Sequence, residues 1–162
     1  MKEILPTLLS NFYGFDMVIF AVAVINLIIY FRTRTLAGEL YNILHPTAKA
    51  KHTYSEATIV DMRHSTTSAY SLYLNVSAIF PLLGILGTVL SLLNMAKDMQ
   101  NMQTNFFAAL TSTFWGLIFA IFYKLVDSKV AALIEDNEKN VAFYLERGER
   151  ENRKITIPKE RD

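Results

Sequence analysis

Between Ala69 and Ala96 the chain carries no Asp, Glu, Lys, Arg or His. A charge-free, largely apolar run of that length is too long for the core helix of a small soluble domain. It is long enough to cross the roughly 30 Å hydrocarbon layer of a bilayer. Two further apolar blocks are nearly free of charge, one from about Phe12 to Phe31 holding only Asp16 and one from about Asn105 to Val126 holding only Lys124. Charges are dense between and after them. This uneven distribution, more than the 52% hydrophobic content, marks an integral membrane chain.

Several function classes drop out early. The net charge is +1, so no bulk field favours nucleic acid. There are no cysteines, which removes disulfide and thiol chemistry. His45, His52 and His64 share one hydrophilic segment, but their spacing fits no usual ligand pattern, so they read as solvated and no metal site is expected. The spans hold no Ser/His, His/Glu or paired Asp set, so no catalytic residues and no intramembrane enzyme are expected.

The fold class expected is an all-α integral membrane protein with three transmembrane helices. Residues 1–31 form an outer N-terminus and the first span. Lys2 is followed at once by Glu3, and no small-x-small cleavage site follows the block, so the span reads as retained. Asp16 at its edge and Asn26 inside it are expected to face a headgroup or a neighbouring helix. Residues 32–68 form a cytoplasmic helical segment. There Leu36, Leu40, Ile43 and Leu44 recur at helical spacing, Pro46 stops the helix, and Ser55 precedes a new one opening at Glu56. Residues 69–96 form the second span, bent near Pro81. Residues 97–104 are a short outer connection, 105–126 the third span, and 127–162 a cytoplasmic tail. In that tail Val126, Val130, Leu133, Val141 and Tyr144 share a face until near Gly148, and the rest, with Pro158, reads as frayed.

Basic residues set the expected orientation. The first hydrophilic segment holds five Lys and Arg and the tail from Lys124 holds nine, against Lys2 alone at the N-terminus and Lys97 alone in the connection. The positive-inside rule then places the N-terminus outside and the tail inside. Tyr30, Tyr70, Tyr73 and Tyr123 are expected at the inner interface, and Phe12, Tyr13, Phe106 and Phe107 at the outer.

The spans carry more than anchoring requires. Ser77, Pro81, Gly84, Thr88 and Ser91 recur at steps of four and three, and so do Ala109, Thr113, Gly116 and Ala120, with Ser112 beside them. Each set falls on one helical stripe. Small residues let membrane helices approach, so Ser77, Pro81, Gly84, Gly87, Ala109, Gly116 and Ala120 read as packing positions. Thr88, Thr113, Ser91 and Ser112 read equally as helix packing or as the lining of a polar path. With no Asp, Glu, Lys, Arg or His from Ala69 to Ala96 or from Asn105 to Tyr123, any proton carried along these spans needs a carboxylate from a second polypeptide. Asp16 sits on the wrong helix and at the wrong depth to supply it.

Pro81-Leu-Leu-Gly84-Ile-Leu-Gly87-Thr88-Val-Leu resembles the second-span motif of the MotA/TolQ/ExbB proton-channel family. Ala109-Leu-Thr-Ser-Thr113-Phe-Trp-Gly116-Leu resembles its third-span run. The resemblance covers roughly residues 55 to 145, and three spans with a short outer connection are closest to the ExbB/TolQ branch. Trp115 departs from it, being bulky where the family often has a smaller residue. The resemblance implies a homopentameric ring around a dimer of a single-span ExbD/TolR/MotB-like partner whose transmembrane Asp carries the ion. Thr88 and Thr113 would face that Asp as ligands, and ion flow would become rotation or mechanical work across the envelope. It further implies a multi-pass protein of the bacterial inner membrane, with the lipid bilayer as surroundings, no cofactor, and H+ as the transported ion with Na+ as the alternative. The competing reading is a small structural membrane scaffold whose stripes only pack helices.

Overall fold

The computed structural model describes residues 14–45, 54–97 and 99–156. Those residues are helical almost throughout. Helix α1 spans Asp16–Leu44, α2 Glu56–Ala78, α3 Phe80–Lys97 and α4 Met102–Thr156, with a 3₁₀ turn at Met99–Asn101. Three stretches are long and apolar enough to cross a membrane: Asp16–Leu44, the α2–α3 run Glu56–Lys97, and Met99–Arg150.

Local chemistry sets the helix ends. Asp16 places a carboxylate in the first turn of α1, where the helix dipole favours it. The helix closes with His45 N–H on the Tyr41 carbonyl at 3.0 Å. Pro46 follows, and the residue before a proline is biased out of the helical region. At α2 the Ser55 carbonyl accepts from Thr58 and Ile59, which starts the helix at Glu56. The bend expected near Pro81 appears as a break at Ile79. Pro81 has no N–H to give the Ser77 carbonyl. Ile79 N–H turns back to Val76, and Leu83 N–H to Ile79 at 2.9 Å restarts the regular ladder. Helix α4 runs on past Gly148 to Thr156, beyond the end read from the sequence. Glycine costs a helix only about 1 kcal/mol. The Glu146–Arg150 pair, 2.6 Å apart and one turn from each other, spans that position. Pro158 and His52 lie outside the described residues, as do Phe12 and Tyr13.

The chain divides into two compact units. The first comprises residues 14–31 and 71–127. Its buried residues follow steps of three and four: Asp16, Ile19, Ala23, Asn26 and Tyr30 on α1, and Phe80, Gly84, Gly87 and Ser91 on α3. That is the spacing of a helix-packing seam. The exposed remainder of these helices is large and apolar, with Leu82, Ile85, Leu86, Val89 and Leu93 on α3 and Leu117, Ile118, Ile121 and Leu125 on α4. A surface that is greasy outside and partly polar inside suits lipid rather than water.

Three of the tyrosines expected near the inner ends of the spans, Tyr30, Tyr73 and Tyr123, are buried among the helices. Tyr73 donates its hydroxyl to the Tyr123 carbonyl at 2.7 Å, and Tyr123 donates to the Ala23 carbonyl. Each phenol thus ties two helices together through a backbone oxygen.

The second unit comprises residues 32–70 and 128–156 of the described chain. Its core is small: Leu40, Ile59 and Val141, with Ile43, Leu44, Met62, Tyr144 and Leu145 against them. Asn137 donates to the Ala37 carbonyl at 2.8 Å, and Tyr144 to the Tyr54 carbonyl at 3.2 Å. Arg63 binds Glu138 through two nitrogens, and Thr67 donates to the other carboxylate oxygen at 3.2 Å. Hydrogen bonding from Arg63 holds the Glu138 carboxyl below its ordinary range, against the opposing pull of burial. His45 and His64 are exposed, as expected, with His45 stacked on Tyr41.

Candidate functional site

The two small-residue stripes meet each other. A Cβ added at Gly116 would lie 2.7 Å from the Phe80 carbonyl oxygen and 2.8 Å from the Gly84 Cα. One added at Gly84 would lie 3.2 Å from both the Ser112 carbonyl oxygen and the Thr113 Cα. The neighbours are backbone atoms, which cannot swing aside. Helices α3 and α4 therefore touch backbone to backbone, an approach that glycine alone allows.

Thr88 and Thr113 lie on this contact, hydroxyl against hydroxyl. Thr88 also donates toward the Gly84 and Ala109 carbonyls, each at 3.1 Å, and Thr113 reaches the Gly84 carbonyl at 3.4 Å. A hydroxyl has one proton and two lone pairs, so these acceptors are alternatives between which the two protons can switch. Both residues are half-buried. The pair is held in place by its own helices yet remains open on one side, as a polar lining must be.

Ser91 and Ser112 belong to a different corner. Ser112 is buried and donates to Asp16 Oδ1 at 2.5 Å. A Cβ on Gly87 would collide with Ser112 and with the Phe15 ring, which shows how tightly the start of α1 is pressed there. Ser91 lines the same cleft as Asp16 and Ser112. Gly87 and Ser112, one residue away from Thr88 and Thr113, are thus the positions turned toward α1. The first helix causes this offset by packing against the α3–α4 pair as a third member.

The remaining stripe positions have other partners. Ser77 donates to the Tyr73 carbonyl at 2.8 Å and accepts from Asn26 at 3.0 Å, so Asn26 faces a neighbouring helix. Ala120 lines a small cleft of about 140 Å³ with Tyr73, Ser77, Tyr123 and Asp127. Ala109 is buried and Pro81 half-buried. Trp115, the departure from the family pattern, packs edge-on against Phe20 with centroids 4.8 Å apart, so its bulk fills space toward α1. Among the described residues no group of three or more His, Cys, Asp or Glu is gathered as for a metal ion.

Asp16 takes the second of its two expected places, against a neighbouring helix: it is buried, only 2% exposed, and it accepts from Ser112 of α4. The sequence leaves headgroup and neighbour open because nothing local tells which way the helix start is turned. The nearest signal is the Asp-x-x-x-x-x-x-x-x-x-Asn spacing of Asp16 and Asn26, which puts two polar residues on one face of an otherwise uniform helix.

Residues 40–142, well over half of the chain, match the MotA/TolQ/ExbB proton channel family. No curated protein and no solved structure matches the chain.

Proposed function

The chain belongs to the MotA/TolQ/ExbB proton channel family, and from that premise we propose that it is the ring subunit of an ion-driven motor in a bacterial inner membrane. The observation that carries this reading is the half-buried Thr88–Thr113 pair, set between spans that hold no Asp, Glu, Lys, Arg or His from Ala69 to Ala96 or from Asn105 to Tyr123. Such a pair can accept from a neutral carboxyl and donate to an ionised one. It cannot itself carry a proton. The missing acid comes from a single-span partner of the ExbD/TolR/MotB kind, two copies of which stand inside a ring of five of these chains.

Orientation follows from the basic residues, with the N-terminus outside and the tail inside. The α1 and α2 segments beyond the membrane and the α4 tail form the cytoplasmic part, and the short connection at Met99–Asn101 lies outside. Ion passage from outside protonates the partner's acid against the threonines and releases it inward, and the ring turns relative to the partner. The branch nearest in layout is that of ExbB and TolQ.

The scaffold reading draws on the Gly84–Gly116 contact, which packs helices whatever else they do. Thr88→Val and Thr113→Val separate the two, since valine nearly keeps the volume and removes the hydroxyl. In vesicles holding the chain and its partner, the motor reading expects proton uptake, read by a pH-sensitive dye, to fall at least about tenfold, the cost of about 1.4 kcal/mol in a barrier. Unchanged uptake in both variants contradicts it.

A further inference from the structure

We propose that the start of α1 forms a sodium site, with Asp16 as its single charged ligand and Ser91, Asn94, Asn105 and Ser112 supplying neutral oxygens. Asp16 Oδ1 accepts from Ser112, while Asp16 Oδ2 is buried and has no hydrogen-bond partner. A buried carboxylate oxygen left unpaired is costly, so a native chain ordinarily provides something for it. The same carboxylate stands on the wall of a cleft of about 510 Å³ lined by the four other polar residues. No Lys, Arg or His is among the cleft's described lining residues, so no side chain there neutralises the acid.

The chemistry of the lining selects the occupant. Carboxylate, hydroxyl and amide oxygens are hard ligands, suited to hard cations and not to copper or zinc. There is one carboxylate and hence one negative charge. A monovalent cation balances it, whereas a divalent one would leave a net positive charge among Phe15, Val18, Leu90 and Ala108. A proton is the competing occupant, since the Ser and Asn oxygens that ligate sodium could equally accept from an O–H at Oδ2, and the titration below separates the two.

Sodium binding here is independent of the proton route proposed above, so the test is made on the full chain alone, in detergent and without a partner. NaCl is titrated against choline chloride at constant ionic strength while thermal unfolding is followed. A ligand that binds only the folded state raises the melting temperature, here by about 5 °C once sodium is far above its Kd. Asp16→Asn should abolish the rise. Ser91→Ala keeps the carboxylate and should move the midpoint of the titration several-fold toward higher sodium. If Asp16→Asn fails to fold, the Ser91→Ala midpoint decides, and an unmoved midpoint overturns the site. Equal responses to sodium and choline overturn it, as does a sodium response retained in Asp16→Asn. A melting temperature indifferent to sodium but raised by acid would assign the site to a proton and overturn it too. Loss of the site leaves the threonine test standing, and failure of the threonine test leaves sodium binding standing.

Discussion

The two units of this chain both bond buried side chains to carbonyls across helices, as Asn137 does to Ala37 in the second, but they differ in the core beside those bonds. In the first, residues 14–31 and 71–127, buried polar side chains mostly bond to backbone carbonyls or to one another across helices: Ser112 to Asp16, Asn26 to Ser77, Tyr73 and Tyr123 to carbonyls, Thr88 to Thr113. In the second, Leu40, Ile59 and Val141 make a small apolar core, and the charged pair Arg63–Glu138 is half-exposed beside it. The contrast follows from the surroundings. Where the outside is apolar, burying more apolar surface gains little, and helices are selected for close backbone approach and for interhelical hydrogen bonds. Where the outside is water, leucine and valine supply the driving force and charges can stay at the rim.

Substitutions sharpen that contrast, and the largest effect belongs to the first unit. Gly116→Leu should prevent α3 and α4 from closing, because the added atoms would overlap the Phe80 carbonyl and the Gly84 backbone. Loss of a discrete species in size-exclusion chromatography is the expected result. Gly116→Ala, with one added carbon, should cost about 1–3 kcal/mol by overpacking and lower the melting temperature by several degrees. If both behave like the wild type, the backbone contact is not what holds the pair.

Next in size is the core of the second unit. Leu40→Ala should cost about 2–5 kcal/mol through lost burial and the cavity left behind. The opening should show in hydrogen exchange of residues 32–44 and 128–145 while residues 80–97 stay protected, since compact units open with separate free energies. Uniform loss of protection in both sets would mean that the division into two units has no energetic meaning.

The threonine variants come third in stability though first in function. Thr88→Val or Thr113→Val removes one hydroxyl of a mutual pair, so the cost should be about 1 kcal/mol, far below that of Gly116→Leu. A large loss of stability would make the pair a structural clasp.

The smallest effect concerns Arg63 and Glu138. Arg63→Met should cost about 0.2–1 kcal/mol, because the pair is well exposed and screened. Glu138 is held below its ordinary pKa by Arg63, so its contribution is complete above the unfolded carboxylate value and is lost as pH falls through the lower folded one. The difference between wild type and Arg63→Met should therefore vanish in acid and shrink in high salt. A difference that grows in acid would reverse the sign of the coupling.

The apolar blocks, the break near Pro81 and the helix-favouring tail were legible because each rests on composition or on local backbone chemistry. The stripes were legible as stripes, since three-and-four spacing puts residues on one face. What lay across from them was not. Periodicity gives the side of a helix and not its neighbour, so Thr88 and Ser91 read as one lining, whereas one meets Thr113 and the other shares a cleft with Asp16. In α1 the difficulty was greater. The helix is apolar all round, and a uniform surface hides which face is buried. Asp16 and Asn26 marked that face, but an acid at a span edge and an amide inside it each have a commoner explanation. The hydrogen bonds of Tyr73 and Tyr123 were hidden for the same reason, because an aromatic facing outward and a phenol facing inward have the same sequence signature.

The most direct measurement is the native mass of the detergent-solubilised chain co-expressed with a single-span, Asp-bearing membrane protein from the same source. The expected particle holds five copies of this chain and two of the partner, and a cysteine replacing the partner's Asp is expected to form a disulfide with Thr88→Cys or Thr113→Cys on addition of a thiol oxidant. A monomer or dimer that leaves the partner behind would contradict the motor reading and return the threonine pair to helix packing.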